Sequence, residues 1–343
     1  MSVRRYKSQH ESVSELPLVT KSATVVGVDQ MDEDRRAELR RAVARWLEER
    51  GLAEDHPLPE RPAEWSALVD DLAREGRAAL ARRVAAVRER AERPKPMLVR
   101  VRFRTESGLD YLAGQYVGLR YGGNARAYSL ASSPTRDELE VCVRRVPGGR
   151  LSPRICEDLT PNDELTVRGP HGELVLQDVS TRDMVFLATG TGVAPFKGMI
   201  DYVFDAGYDE VDGERRDVWL FLGAAWEDDL PYREEFRALD AERENFHFVP
   251  CLSRESYLGD WDGETDYVQH ALLKHVDDDV TAPLGAGLDA RLQRAPDSGV
   301  SARIDPSSAE VYACGINAMV YSLVEAVERL GVPGDRIESE GFG

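Results

Sequence analysis

A short apolar run that breaks into glycines and then a proline constrains this chain more than any other stretch. Met184-Val185-Phe186-Leu187-Ala188 leads directly into Thr189-Gly190-Thr191-Gly192-Val193-Ala194-Pro195. Five consecutive apolar residues have the length of a buried strand. Pro195 suits the first helical position, where no backbone N–H is required. Two glycines at such a turn let a pyrophosphate approach the backbone at the start of the helix. The third glycine of the dinucleotide fingerprint is missing, so phosphate binding and a plain tight turn both stay open on this segment alone.

Strands and helices alternate from there on. Val218–Leu222 and 246–252 read as strands, with helices near 231–242 and 267–275; a strand at 309–314 and a helix at 317–330 follow. That alternation predicts a parallel sheet covered by helices. The stretch 277–308, rich in Asp, Gly, Pro and Ser, reads as a surface insertion. Upstream, strands separated by turns are expected at 97–104, 115–121, 126–131, 138–146 and 164–168, which predicts an antiparallel barrel. Residues 1–18 form a polar tail, and Ser22–Val28 reads as a strand. Leu39, Val43, Trp46 and Leu47 mark a helix, and Ala53–Pro62, with three prolines, reads as a linker. Trp65, Leu68, Leu72, Leu80, Val84 and Val87 form one stripe of a second helix spanning 63–93. The fold class is therefore α+β with two domains: an antiparallel barrel, then an α/β parallel-sheet domain over 179–343.

Charge and cysteine usage narrow the function. With 44 basic and 62 acidic residues the net charge is −18, which repels phosphate backbones and argues against nucleic-acid binding. Only five of the basic residues are Lys, a bias that suits either a salt-rich cytoplasm or a GC-rich coding sequence. No run of ~18 apolar residues is present, so no membrane span is expected. The N-terminus lacks an apolar signal core, and a cytoplasmic location is expected. Cys142, Cys156, Cys251 and Cys314 form no C-x-x-C pair, and no metal site is expected.

Three more segments carry chemistry. Arg126-Ala127-Tyr128-Ser129 offers a cation for phosphate, a ring for stacking and a hydroxyl, although a surface Arg beside a packed Tyr is the plainer possibility. Gly148-Gly149-Arg150-Leu151-Ser152 opens into a short helix, and serves equally as a phosphate-binding helix start or a capped turn. Val311-Tyr312-Ala313-Cys314-Gly315-Ile316-Asn317-Ala318-Met319 puts a thiol at the carboxyl end of a strand, where open α/β sheets hold ligands; an inert core Cys fits it as well.

Taken in order, these motifs resemble the ferredoxin–NADP reductase superfamily. The resemblance covers residues 20–30 and 97–343 and also takes in Gly114-Gln115-Tyr116, Gly169-Pro170-x-Gly172 and the ending Glu340-Gly341-Phe342-Gly343. It implies FAD as cofactor and NADPH or NADH as donor. Arg126 and the turn Gly149, Arg150, Leu151 and Ser152 would hold the FAD diphosphate. Tyr128 would stack on the isoalloxazine, and Ser129 would reach flavin N5. Thr189, Gly190, Thr191, Gly192, Ala194 and Pro195 would cradle the NAD(P)H diphosphate. Cys314, Gly315 and Met319 would lie at the nicotinamide, and Ser253, Arg254 and Tyr267 at the adenosine. Ser129, Cys314, Glu340 and Phe342 would form the catalytic set.

The chain departs from the resembled pattern in two places. The resemblance implies that the FAD-binding barrel domain spans 19–178 and that 32–94, between its first strands, is a helical insertion whose stripes are expected to pack on the barrel or dock a partner. Its run Arg82–Arg93, with five arginines, is a candidate basic patch for an acidic acceptor. The loop Ala225-Trp226-Glu227-Asp228-Asp229 is acidic where NADPH enzymes carry Arg, and Thr265 and Asp266 stand where a second cation is usual. The expected activity is a monomeric flavoprotein reductase passing electrons from NAD(P)H to ferredoxin, flavodoxin or a small oxidant. The reductase component of an oxygenase, a free-flavin or ferric reductase, and a non-catalytic FAD redox sensor are the alternatives.

Overall fold

The computed structural model describes residue 13 and residues 16–255, 258, 261, 263–277, 292 and 294–342. Most of the expected tail, the centre of the 277–308 insertion and Gly343 lie outside the described residues.

Six strands build the first unit: β1 (Val19–Gln30), β2 (Leu98–Thr105), β3 (Tyr116–Tyr121), β4 (Asn124–Ser129), β5 (Leu139–Arg144) and β6 (Glu164–His171). All pair antiparallel, in the order β4-β3-β6-β1-β2-β5, and a bridge between Leu130 and Val141 brings the two ends together. The result is a nearly closed barrel, filled by β-branched and aromatic side chains such as Val101, Phe103, Val117 and Val141. A six-residue helix, α4 (Ser152–Glu157), follows β5.

The insertion leaves the barrel between β1 and β2, which pair directly. Asp32 pins its two ends side by side: Met97 N and Leu98 N donate to its carboxylate at 3.0 and 3.1 Å, as does Lys95 Nζ at 2.5 Å. It holds three helices: α1 (Arg36–Glu48), α2 (Pro62–Arg74) and α3 (Ala78–Ala91). The single helix expected over 63–93 is thus two. Gly76, with φ +78°, supplies the left-handed turn, and Arg77 N donates back to Leu72 O at 2.9 Å. Both halves of the stripe stay buried because α2 and α3 face one shared core. That core takes in Trp226 and Leu258, so the insertion packs on loops of the following domain and is not confined to the barrel.

The second unit is a parallel sheet ordered β11-β10-β7-β12-β13. Its strands are β7 (Asp183–Thr189), β10 (Val218–Ala224), β11 (Phe246–Leu252), β12 (Ala309–Ile316) and β13 (Ile337–Phe342); a small hairpin, β8 (Glu210–Val211) and β9 (Glu214–Arg215), precedes β10. Helices α5 (Val193–Ala206), α6 (Arg233–Glu242), α7 (Val268–Lys274) and α8 (Asn317–Arg329) cover it. Central strands are apolar on both faces, as a covered parallel sheet requires. One face, with Phe186, Leu220, Tyr312 and Met199, forms a common core with Leu98, Ala131, Leu174 and Leu176 of the barrel side. Gly198 of α5 makes that seam close, since a Cβ there would stand 2.8 Å from Ser132 O and 2.9 Å from Leu130 O.

Candidate active site

Arg126 lies on β4, exposed, and donates to the neighbouring Ala125 O at 2.8 Å. Among the described residues it has no acidic partner. Two residues on, Tyr128 is half-buried in the barrel wall, and burial pushes its phenol up to about 12. Ser129 closes the strand opposite Tyr116. Gln115, buried beneath, accepts from Leu112 N at 2.9 Å and donates to Gly172 O at 3.1 Å, locking the turns on either side.

The 148–152 turn divides its expected residues. Leu151 is in the core, and Ser152 Oγ accepts from Val146 N at 3.0 Å, so its side chain closes the turn. Gly149 and Arg150 remain accessible. The segment after β7 differs from expectation by two residues. Gly190–Gly192 form a 3₁₀ turn and α5 begins at Val193, which makes Pro195 its third residue. Pro is still accommodated, because N–H groups of the first turn have no intrahelical acceptor. Gly192 is required by a neighbour: a Cβ there would lie 2.5 Å from Cys314 O.

At the carboxyl edge of the sheet a cavity of about 260 Å³ opens between β7, β10, β12 and α7. It brings together Thr189, Ser253, Tyr267 and Met319 from the expected set, together with Gly223 and Ile316, which sequence reasoning missed. Their position at strand ends in an open α/β sheet is the signal that would have found them. Arg254 follows Ser253 beside the cavity, and Tyr267 is exposed at its rim.

Cys314 is buried on β12 and pairs in register with Glu340 on β13, while Ile316 pairs with Phe342. Burial, with the Glu340 carboxylate adding to it, holds the Cys314 thiol well above its ordinary value, so it is protonated at neutral pH. Burial also raises the Glu340 carboxyl. Phe342 is 44% exposed.

The acidic loop after β10 points away from the cavity. Asp228 and Asp229 are buried; Arg90 of α3 binds Asp228, and Arg93 Nη1 donates to Asp229 at 3.1 Å. Lys95 and Arg35 lie 3.5 and 3.7 Å from Asp228, and Glu227 pairs with Arg237 at 2.6 Å. Asp228 and Asp229 are thus consumed in docking the insertion, while Glu227 pairs within its own domain. The arginine run of α3 is spent likewise: Arg83 stacks on Trp46, Arg88 donates to Ser66, and Arg90 is buried. It presents no continuous basic patch.

The exposed Arg126, with no acidic partner among the described residues, the half-buried Tyr128 and the glycine cradle against Cys314 fit a flavin on the barrel and a dinucleotide on the sheet. A flavin-binding barrel joined to a nucleotide-binding α/β domain is the class this fold defines. The oxidoreductase FAD-binding domain family matches residues 95–176, and the oxidoreductase NAD-binding domain family matches residues 186–325. Ferredoxin–NADP reductase B of Sorangium cellulosum is 33% identical over 262 residues, 74% of this chain and 95% of that protein. The chain belongs to the ferredoxin–NADP reductase superfamily.

The phenol 2-monooxygenase reductase component DmpP of Pseudomonas sp. is 32% identical over 185 residues, 53% of this chain and 51% of its own length. The propane 2-monooxygenase reductase component of Rhodococcus jostii is 28% identical over 264 residues, 75% of this chain and 63% of that one. The chain spans about half the length of several of the curated relatives it matches. The Amycolatopsis cytochrome P450 reductase GcoB shares the fold with TM-score 0.62 at 23% identity, over 95% of this chain and 71% of that one. A Neisseria gonorrhoeae ferredoxin NADP+ reductase with bound FAD and NADP gives 0.55 at 21%, over 72% and 93%. Among the described residues, no helix is long and apolar enough to cross a membrane.

Proposed function

We propose that the protein is an FAD-dependent oxidoreductase that takes hydride from NAD(P)H and passes electrons to a separate acceptor such as ferredoxin or flavodoxin. The observation that carries this is the cavity at the carboxyl edge of β7, β10 and β12, flanked by the Gly190–Gly192 turn and the buried Cys314. Bound FAD supplies the conversion of one two-electron donor into two single-electron transfers. Arg126 binds the FAD diphosphate through its exposed guanidinium, with the accessible backbone of Gly149 and Arg150 on its other side. Tyr128 lies against the ring system and Ser129 offers its hydroxyl at the reacting edge. Backbone N–H groups from Gly190 to Ala194 hold the nucleotide diphosphate. Ser253, Arg254 and Tyr267 meet the adenosine end, while Gly315 and Met319 floor the nicotinamide end.

Cys314, a neutral buried thiol, keeps that end dry without adding charge. Glu340, its carboxyl raised by burial, holds a proton closer to neutral pH than an ordinary carboxyl. Phe342 covers the flavin face until nucleotide displaces it. Electron delivery to an oxygenase is a second reading, supported by the likeness to the phenol and propane monooxygenase reductase components. The test is anaerobic addition of NADH or NADPH to the FAD-loaded protein, followed by ferredoxin, flavodoxin or an oxygenase component. Bleaching of the flavin and its return with one of these acceptors is expected. A flavin that neither nucleotide bleaches would sink the proposal.

A further inference from the structure

The insertion reaches beyond the barrel to the residues beside the nucleotide cavity. Arg35 on the approach to α1 donates to both oxygens of Glu255 at 2.6 and 2.9 Å, and Glu255 also accepts from Glu227 N at 2.7 Å. Arg45 of α1 donates to Leu258 O at 3.0 Å, and Leu258 is buried in the insertion's core. On the other side, Ser253 N and Arg254 N donate to Ala224 O and Ala225 O at 3.1 and 2.9 Å. The backbone around Arg254 is therefore fixed from two directions, and one of these is the insertion.

Within this fixed frame Glu89 of α3 places a carboxylate oxygen 3.7 Å from Arg254 Nη1. Its other oxygen lies 3.6 Å from Arg93, which is already committed to the buried Asp229. A 3.7 Å separation is too long for a hydrogen bond, and Glu89 is largely exposed. Glu89 therefore acts on Arg254 through charge more than through orientation. Asp228 and Asp229 are neutralised within the seam, and Asp266, which also lines the cavity, lies 3.5 Å from Lys274, so the balance beside Ser253 is set chiefly by Arg254 and by Glu89, which Arg254 shares with Arg93. A 2′-phosphate brings nearly two further negative charges to that balance, whereas a 2′-hydroxyl brings none.

We infer that Glu89 is a specificity-determining residue contributed by the insertion: it offsets Arg254, opposes a 2′-phosphate and biases the enzyme toward NADH. The inference rests on the reading that Ser253 and Arg254 form the adenosine end of the site. Removing one exposed charge near a phosphate changes binding by about three- to tenfold at low salt, and by less as screening grows.

The test is calorimetric titration of the FAD-loaded protein with AMP and with adenosine 2′,5′-bisphosphate, at low and high salt, on wild type, Glu89→Gln, Arg254→Gln and the double variant. Glu89→Gln is expected to tighten the bisphosphate about three- to tenfold and leave AMP unchanged. The gain should shrink in high salt and persist in the Arg254→Gln background, because through-space charge contributions add. The ratio of kcat/KM for NADPH over NADH should rise by the same factor. Unchanged or weaker bisphosphate binding by Glu89→Gln, while AMP still binds, would overturn the assignment of Glu89. If wild type binds neither probe, the nucleotide-site reading falls, and this inference with it.

Discussion

Arg126 keeps its full charge available because no acidic side chain meets it among the described residues, and this makes it the residue most exposed to test. Replacing it with Ala removes charge-assisted hydrogen bonds worth about 1.5–3 kcal/mol, so FAD should bind some ten- to a hundredfold more weakly. Flavin retained per protein after exhaustive dialysis reads this out; full retention would remove Arg126 from the site. Glu340 makes a prediction about pH. Burial raises its carboxyl above 4.5 in the folded protein. Below pH 4.5 the group is neutral in both states and costs nothing; as pH rises through the folded value, stability is lost. Glu340→Gln should therefore match wild type in Tm near pH 4 and exceed it near pH 8. A Tm difference independent of pH would contradict the burial argument. Arg126, Tyr128, Cys314 and Glu340 could be proposed from the sequence because short motifs carry them. The partners of Asp228 and Asp229 were not, since two acids in a loop say nothing of arginines more than 130 positions away that neutralise them.

At the scale of elements, periodicity found the strands and the apolar stripes but not what covers them. The stripe from Trp65 to Val87 keeps its phase across Gly76, so the break between α2 and α3 left no mark in the pattern. The stripes likewise marked faces as buried without naming Trp226 and Leu258 as what fills the core. Trp226, in the loop after β10, is fully buried in the insertion's core. Trp226→Ala should cost about 3–5 kcal/mol, the range for emptying a core aromatic site. Denaturant unfolding of the FAD-loaded variant measures it. A loss under 1 kcal/mol would mean that the insertion is only loosely docked. Retained flavin in the same variant is expected, because the residues assigned to FAD lie on the barrel.

Across the whole molecule, barrel and sheet meet through a shared apolar core, with Gly198 packed against the carbonyls of Leu130 and Ser132. Gly198→Val drives side-chain atoms into that backbone, so the two domains must shift. FAD content should survive, whereas flavin reduction should slow by about a hundredfold, since ~1 Å of misplacement costs that much in a reaction between prepositioned groups. An unaltered rate would show that the seam does not set the reacting geometry. In the proposed function, hydride passes directly from nucleotide to flavin within this one chain. Stopped-flow mixing of the FAD-loaded protein with each 4-deuterated epimer of NADH or NADPH, without oxygen, tests it most directly. Flavin bleaching should be slowed severalfold by deuterium on one face of the nicotinamide and unaffected by deuterium on the other. Bleaching insensitive to both labels even where chemistry limits the rate, or no bleaching at all, would contradict it.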